Sequence, residues 1–309
     1  MLFINTTQLS GIGQVVKKYA ELVNGTLIDN VPVTDEPIFF FCLPIHTTIE
    51  KIKKLKQNGN KVIYMTVCET ETVHESYGAM FKEIGSDIAV PSEFCKRVFS
   101  TQFPEYTFYV IRHAVSPFVL KPPRKAKDTY IFYHIGNIID PRKQCDKIIQ
   151  AFTELNLPNS ALILKATCAK TVTIETPGIH VINGIIDDEQ MEHIHNGCDC
   201  YVNFSCSEGV GMGAVEAAMH NKPVIITEYG GASEYVNTPY TISCTLKPIG
   251  FDDFLYKHDM VWGCPDYNQL KEFMTECYTK KLRTMNHECT RYVVNPEIIK
   301  SQMFERNNL

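Results

Sequence analysis

The sequence lacks any long apolar run. No stretch of it approaches the ~20 consecutive apolar residues that a helix needs to span a bilayer. The N-terminus, Met1–Thr6, has neither the charged start nor the long apolar segment of a secretory signal. We therefore expect no transmembrane segment and a cytoplasmic location, while a peripheral membrane contact stays open.

The sequence also lacks a strong excess of one charge. Its 30 Lys and Arg residues face 35 Asp and Glu residues, which gives a formal net charge of −5. A polyanion is not attracted by such a balance, so nucleic acid is not expected as a partner. With 44% hydrophobic and 21% charged residues, the chain has the composition of an ordinary globular protein.

Cysteine is frequent, but no Cys-x-x-Cys pair occurs. The twelve cysteines are scattered along the chain, far below the density of a disulfide scaffold. The closest two, Cys198 and Cys200, fall in a predicted strand that places both thiols on one face. We interpret the cysteines as buried and reduced, which favours a reducing compartment over a metal or disulfide role.

A glycine-rich turn between two apolar strands is the most informative stretch of the chain. Runs of strand-forming residues occupy 200–204 and 223–227, and a helix is predicted before the second of them. Gly209, Gly211 and Gly213 lie where this helix begins. Free amide N–H groups and the positive end of the helix dipole make such a turn a predicted anion site.

Two carboxylates bracket this turn, Glu208 within it and Glu216 about one turn into the helix. Acidic side chains beside an anion site are unexpected if the ligand is a bare phosphate. They are expected if the ligand has a diphosphate in its middle and hydroxyl-bearing rings at both ends, because carboxylates accept strongly from paired sugar hydroxyls. The pattern therefore indicates a nucleotide-sugar. The alternative is an ordinary strand-turn-helix with solvated glutamates.

The spacing Glu208-x7-Glu216, with Gly-Val-Gly-Met-Gly after the first glutamate, resembles the signature of retaining GT-B glycosyltransferases of the family 4 type, the glycosyl transferases group 1. The similarity extends upstream through 180–199 and downstream through the Gly-Gly-x-x-Glu turn at 230–234. The resemblance implies an α/β fold with two Rossmann-like domains facing each other across a cleft. Successive strand-helix units in both halves independently predict parallel sheets.

The domain boundary is predicted at a stretch rich in proline and positive charge, residues 116–128. Residues 1–120 then form an N-terminal, acceptor-side domain. Residues 125–309 form the C-terminal, donor-side domain with its terminal helices. The resemblance further implies that a terminal helix crosses back to the first domain.

The resemblance also implies a set of donor-binding residues. Glu208 is expected to bind hydroxyls of the donor sugar and Glu216 those of the ribose, while Ile185 and Ile186 pack on the base. Nothing in these residues separates uracil from guanine, so the donor is a UDP-sugar or a GDP-sugar. The backbone of the turn is expected to hold the diphosphate, through Gly209, Val210, Gly211, Met212 and Gly213.

Cations for the diphosphate are expected in the loop that follows the strand at 130–135. Gly136-Asn137 resembles the Gly-Arg of the family, so that Asn137 stands where Arg is usual. Arg142 and Lys143 are then the candidate cations, with Lys143 favoured because it lies at a helix start. They would offset charge that builds up on the departing nucleoside diphosphate.

Further candidates come from the first half of the chain. Gly11 and Gly13 resemble the first glycine loop of the family, which faces the donor phosphates or the acceptor. His46 as a catalytic residue, and Glu69 and His74 on the acceptor side, follow predicted strands, and ligands of open α/β sheets lie beyond the carboxyl ends of strands. His113 belongs to a turn that resembles the His-Gly-Val of the family, and is a further acceptor-side candidate.

The predicted function is transfer of a sugar from a nucleotide-sugar to a hydroxyl of a glycan, protein or small-molecule acceptor, with retention at the anomeric carbon. No cofactor and no metal ion are expected, because the acid pairs at 187–188 and 252–253 are typical of caps or solvated loops. Two alternatives stay open. An epimerase or sugar phosphorylase could share the architecture, and a nucleotide-sugar-binding protein without catalysis would also fit.

Overall fold

The computed structural model describes residues 1–6, 11–115 and 129–305. By its internal contacts the chain divides into two compact units. The first comprises Met1–Ser116, Lys247–Trp262 and Val293–Leu309, and the second comprises Pro117–Leu246 and Gly263–Tyr292. The predicted boundary stretch, residues 116–128, lies outside the described residues, and the predicted domain bounds stay a prediction.

The first unit contains a sheet of six parallel strands in the order β2-β1-β3-β4-β5-β6. Helices connect most of the strands, as the strand-helix pattern of the sequence predicts. The elements are β1 Leu2–Ile4, α1 Gly11–Leu22, β2 Thr26–Ile28, β3 Ile38–Phe41, α2 His46–Gln57, β4 Val62–Met65, α3 Ser76–Ile84, β5 Ile88–Val90, α4 Glu93–Gln102 and β6 Phe108–Val110.

The second unit contains another sheet of six parallel strands, in the order β12-β11-β10-β7-β8-β9. Its elements are β7 Tyr130–Gly136, a 3-10 turn Pro141–Lys143, α5 Cys145–Leu155, β8 Ser160–Ala166, β9 Ile179–Ile182, α6 Asp188–Gly197, β10 Cys200–Asn203, α7 Met212–Met219, β11 Val224–Thr227, α8 Ala232–Tyr235 and β12 Thr241–Ile242. The chain continues through β13 Cys244–Pro248, β14 Val261–Pro265, α9 Tyr267–Thr279, α10 Glu288–Val293 and α11 Pro296–Phe304.

These elements form where the apolar pattern predicts them. β3 and β11 are buried along their whole length, as expected of strands covered on both faces of a parallel sheet. Helix α6 begins with a capping box, in which the Asp187 side chain accepts from the Gln190 amide and the Gln190 side chain accepts from the Asp187 amide. Of the acid pair at 187–188, Asp187 is thus a helix cap. Within the described residues no helix has the length and apolar character needed to cross a membrane.

An aromatic cluster centred on Phe81 stabilises the first unit. Phe81 is fully buried on α3, and its ring centroid lies 5.2–5.9 Å from those of five other aromatic rings. These rings belong to Tyr77, Phe99, Phe103, Tyr106 and Phe108. Aromatic pairs at such distances add to the stability that burial itself provides.

We expect Phe81→Ala to lower the free energy of unfolding by about 3–5 kcal/mol, because it removes buried surface and leaves a cavity among five rings. Val33→Ala is the matched control, since Val33 is 82% exposed and should change stability by less than about 0.5 kcal/mol. Urea denaturation of both variants measures the difference. Equal stability of the two variants would show that the cluster contributes nothing.

Candidate functional site

The candidate donor site lies in the second unit, at the carboxyl ends of two neighbouring strands. β7 and β10 pair in parallel, so the loops that follow them leave the same edge of the sheet. The loop after β7 carries residues 137–144, and the loop after β10 carries residues 204–211. This is the edge where open α/β sheets bind their ligands.

Glu208 joins the two loops through both of its carboxylate oxygens. The Lys143 Nζ donates to Glu208 Oε1 at 2.5 Å, and the Ser205 Oγ donates to the same oxygen at 2.7 Å. The Arg142 Nη1 donates to Glu208 Oε2 at 3.3 Å. The residue is only 7% exposed. The structure thus brings three predicted site residues, 65 or 66 positions apart in the sequence, into direct contact.

Two opposing effects act on the pKa of Glu208. Burial would raise it, because a carboxylate loses hydration in the protein interior. The positive charges of Lys143 and Arg142, with the hydrogen bonds from Lys143 and Ser205, outweigh burial and lower the pKa to about 2. Glu208 is therefore ionised at neutral pH, which excludes it as a general acid in this arrangement.

Arg142 and Lys143 differ in what else they hold. Arg142 also donates to the Ser207 carbonyl at 2.5 Å and to Asp140 Oδ2 at 3.2 Å, so it braces the loop after β10. Lys143 contacts Glu208 through an ammonium group, which has three donors and can hold a ligand oxygen at the same time. The role of Lys143 as the diphosphate cation stays a prediction.

The downstream glycine pair supports the backbone at Glu208. The Gly231 amide donates to the Glu208 carbonyl at 2.8 Å. Gly230 has a φ of +79°, and a Cβ placed on it would lie 2.5 Å from that same carbonyl oxygen. Glycine is therefore required at 230 by conformation and by close approach. The Gly-Gly-x-x-Glu turn of the sequence is thus a support for the loop of Glu208.

The two glycines at the start of α7 are required for different reasons. Gly211 is the N-cap with a φ of +74°, a left-handed conformation that favours glycine. A Cβ on Gly213 would lie 2.3 Å from the Tyr201 Oη, which itself donates to the Ile135 carbonyl at 3.1 Å. Gly213 is therefore needed for close packing of α7 on the sheet. The amides of the first turn of α7 begin directly beside the loop of Glu208, where an anion can be bound.

Glu216 lies on α7 with its side chain 20% exposed. Its Oε2 is 3.7 Å from the Nε2 of His195, a buried residue of α6. The Glu216 carboxylate thus lies near a buried ring and is partly exposed.

The predicted base loop follows β9 and is anchored by a buried lysine. The Lys165 Nζ donates to the carbonyls of Ala166 at 2.6 Å and Gly184 at 2.7 Å. Burial lowers the pKa of Lys165, which is 2% exposed. Immediately after Gly184, Ile185 is 71% exposed, an unusual position for a large apolar side chain. The loop thus presents an apolar surface on a fixed backbone.

Gly136 is the last residue of β7, and Asn137 is the first residue of the loop that follows it. A Cβ on Gly136 would lie 2.8 Å from the Nε2 of buried His134. The Oδ1 of Asn137 is buried and has no hydrogen-bond partner among the described residues. Asn137 supplies no positive charge, so any cation for a diphosphate in this loop must come from Arg142 and Lys143.

The structure corrects the position of the first glycine pair. Gly11 and Gly13 were predicted in a loop, but α1 begins at Gly11, so both lie in the first helical turn. Residues 7–10 are outside the described part of the chain. His46 was predicted to follow β3 and is the first residue of α2, where it is exposed.

The acceptor-side candidates of the first unit differ in their surroundings. Glu69, after β4, accepts a hydrogen bond from the Tyr256 Oη at 2.6 Å. The His74 Nδ1 accepts from the Ser76 amide at 3.2 Å at the start of α3. His113 is 6% exposed, and its ring packs on Tyr19 and Phe41.

Burial, together with the positive charges of Lys18 and Arg112, lowers the pKa of His113 to about 3, so its ring is neutral at physiological pH. Contact with an acceptor would require this ring to be uncovered.

No group of three or more His, Cys, Asp or Glu residues that could hold a metal ion occurs in the part of the chain that the structure describes.

The sequence of the second unit matches a known family. Residues 129–246 match the family model described as glycosyl transferases group 1. This segment is similar to that family and makes up less than half of the chain. The match covers β7 to β12 and so contains Lys143, Glu208 and Glu216. A comparison with curated proteins finds no match.

Solved structures of GT-B glycosyltransferases share the fold of the whole chain. The sucrose-phosphate synthase of Thermosynechococcus elongatus aligns with a TM-score of 0.60 at 16% identity, over 88% of this chain and 73% of that one. TarM of S. aureus, in a complex with UDP, aligns with a TM-score of 0.60 at 13% identity, over 88% of this chain and 55% of that one. A glycosyltransferase of Rickettsia africae aligns with a TM-score of 0.61 at 13% identity, over 99% and 83%. The chain thus has the GT-B fold and spans about half the length of TarM.

Several residues that build the site carry no signal in the sequence. Asp140 holds Arg142 and Ser205 holds Glu208, yet each of the two looks like an ordinary loop residue in the sequence. Lys165 lies within an apolar strand pattern, where a charge is the only hint of a special role. His195 is one of two histidines on α6, and its closeness to Glu216 cannot be inferred from spacing.

We expect Glu208→Gln to lower the free energy of unfolding by about 3 kcal/mol near pH 7, since it leaves Lys143 without its counter-charge and Arg142 with Asp140 alone. The folded pKa of about 2 lies below the ordinary value of 4.5, so this stabilisation is present above about pH 4.5 and is lost as the pH falls toward 2. Urea denaturation between about pH 7 and pH 3 measures the wild-type and variant curves.

The exposed Glu189→Gln on α6 is the control and should show no such dependence. If the difference in the free energy of unfolding between wild type and Glu208→Gln were constant down to about pH 3, the carboxylate would not be ionised as described.

Proposed function

We propose that the protein transfers a sugar from a nucleoside diphosphate donor to an acceptor hydroxyl, with retention at the anomeric carbon. The observation that carries this proposal is the contact of Lys143 with Glu208 beside the first turn of α7, inside the segment that matches the group 1 glycosyltransferase family. A positively charged side chain, Lys143, and the N-terminus of α7 thus lie together at the edge of the sheet where open α/β sheets bind ligands.

The diphosphate binds at the first turn of α7 and against Lys143. Backbone amides of a helix N-terminus bind phosphate oxygens, and the helix dipole favours their negative charge. The charges of Arg142, Lys143, Asp140 and Glu208 cancel, so the loop pair itself does not repel a dianion. When the sugar leaves, the Lys143 ammonium stabilises the negative charge that develops on the diphosphate.

The two glutamates bind hydroxyls at opposite ends of the donor. Glu216 accepts from the two ribose hydroxyls, because a carboxylate offers two oxygens with about four acceptor positions. Glu208 accepts from a hydroxyl of the transferred sugar through Oε2, where Arg142 is its longer contact at 3.3 Å. The same carboxylate orients Lys143, so donor sugar and diphosphate are positioned by one group.

The base packs on the loop of Ile185 and Ile186. Ile185 presents its exposed apolar side chain to one face of the base, while backbone groups fixed by Lys165 are available to its edge. UDP is our first candidate, because TarM and a UDP-forming trehalose-phosphate synthase of Burkholderia xenovorans share the fold and carry UDP in their descriptions. GDP is the second.

The transfer itself breaks one bond and forms another at the anomeric carbon. The bond from this carbon to the β-phosphate oxygen breaks, and the acceptor oxygen bonds to the same face. The acceptor proton passes to the departing phosphate oxygen, so no protein nucleophile is required. This order of events rests on the resemblance to retaining enzymes of the group, in agreement with a Glu208 that stays ionised. A glycan, a protein or a small molecule can supply the hydroxyl, and Glu69 and His74 are its candidate partners.

A binding experiment tests the donor site. We expect UDP or GDP at about 100 times its Kd to stabilise the protein by about 2.7 kcal/mol, which a thermal melt detects. Lys143→Ala should weaken this nucleotide about 10- to 100-fold, as loss of one charge-assisted contact. Lys147→Ala removes an equal charge from the exposed face of α5, where Lys147 contacts Gln150, and should change affinity less than about twofold.

No stabilisation by any nucleotide, or equal effects of the two lysine variants, would contradict the donor site. Turnover then separates the functions. Release of nucleoside diphosphate that depends on an acceptor supports a transferase, and NMR of the product gives its anomeric configuration. Isomerised donor without acceptor indicates an epimerase, and binding without turnover indicates a binding protein.

A further inference from the structure

A buried cluster lies behind Glu216, on the side of α7 that packs against the sheet and α6. It consists of Tyr133 on β7, His195 on α6 and His220 at the C-terminal end of α7. Tyr133 and His195 are 0% and 1% exposed, and His220 is 8% exposed. None of these residues is used by the proposed transfer, so their polar groups need another explanation.

Two contacts fix the orientation of the His195 ring. Its Nδ1 lies 2.9 Å from the Tyr133 Oη, which sets the rotation of the ring about its Cβ–Cγ bond. Its face stacks on His220 with ring centroids 4.8 Å apart and planes only 9° from parallel. With the edge and the face both held, the remaining nitrogen, Nε2, has a defined position 3.7 Å from Glu216 Oε2.

The hydrogen-bond inventory indicates which nitrogen carries the proton. Burial raises the pKa of Tyr133 well above its ordinary value, so its phenol keeps its proton and can donate it to Nδ1. When the phenol donates to Nδ1, the N–H of the ring is at Nε2. An Nε2–H beside the Glu216 carboxylate is an attractive arrangement, and 3.7 Å is within reach of a hydrogen bond after a small rotation of the partly exposed glutamate.

We propose that His195 is a positioning residue, which holds the Glu216 carboxylate through Nε2 so that it accepts both hydroxyls of the donor ribose. The inference rests on the proposed function, because it needs Glu216 to be the ribose-binding group. Tyr133 orients His195, and His220 covers its face. Glu216 itself stands on a helix whose start is fixed by Gly213 against Tyr201, so backbone and carboxylate are both held from behind.

The test compares the affinity for a nucleoside diphosphate with the affinity for its 2′,3′-dideoxy form. If His195 had only a structural role, its substitution would weaken the binding of both nucleotides equally. Calorimetry gives the Kd of UDP and 2′,3′-dideoxy-UDP, and of GDP and 2′,3′-dideoxy-GDP, for each variant. We define the ribose preference as the ratio of the affinity for the ribonucleotide to the affinity for its dideoxy form. For the pair that binds, His195→Leu is expected to reduce this ratio about tenfold and to leave the affinity for the dideoxy form unchanged. His195→Gln keeps an N–H near the Nε2 position and should restore most of the ratio.

Tyr133→Phe should reduce the ratio less than His195→Leu, since the ring stays but loses its anchor at Nδ1. This variant and His195→Gln are close in shape to the wild type, so the test stays usable if His195→Leu does not fold. Equal weakening of both nucleotides by His195→Leu, or no change in the ratio, would overturn the role of His195.

Glu216→Ala separates this inference from the proposed function. It should bring the ratio close to one. If Glu216→Ala leaves the ratio at its wild-type value, the ribose role of Glu216 is wrong and the role of His195 fails with it. If Glu216→Ala removes the preference while His195→Leu keeps it, only the inference about His195 fails.

Discussion

A buried carboxylate between two cations is the interaction on which the candidate site depends. A single carboxylate in a dry environment is costly, and so are two adjacent cations, but the three together offset one another. Glu208 thereby draws the loop after β7 onto the loop after β10, with Ser205, Asp140 and the carbonyl of Ser207 completing the contacts. The arrangement is polar, both oxygens of its carboxylate accept hydrogen bonds, and it lies next to the start of α7. Its position, rather than any one residue type, makes it suited to a diphosphate.

The support behind α7 is of a different kind, since it is aromatic and closely packed. Tyr201 and Tyr133 stack edge to face at 5.0 Å, and Tyr133 continues to His195 and His220. Gly213 lets the helix approach this row, because any side chain there would meet the Tyr201 hydroxyl. A rigid helix with a carboxylate on its outer side follows from this packing. The site therefore combines ion pairs that connect two loops with a helix, α7, that is held in place by its packing on the sheet.

The sequence predicted the fold well because the strands are continuous apolar runs and the helices between them are amphipathic. It predicted no element at β2, Thr26–Ile28, since this edge strand is short and mostly exposed. At the site, Glu208, Lys143 and Arg142 were recognisable from two sequence motifs, but the motifs did not predict that the three side chains are in contact. The motifs were also silent on His195, Lys165 and Tyr256, whose contacts are set by tertiary packing. The close approach of Gly213 to Tyr201 adds a packing requirement that the sequence did not reveal, and its role in binding the diphosphate stays a prediction.

A crystal structure with a bound nucleoside diphosphate would test the central claim most directly. The account predicts phosphate oxygens at the first turn of α7 and within hydrogen-bond distance of the Lys143 Nζ, while that ammonium still contacts Glu208. It also predicts both ribose hydroxyls on the Glu216 carboxylate and the base against Ile185. A nucleotide bound elsewhere, or a diphosphate that leaves Lys143 and α7 untouched, would contradict it.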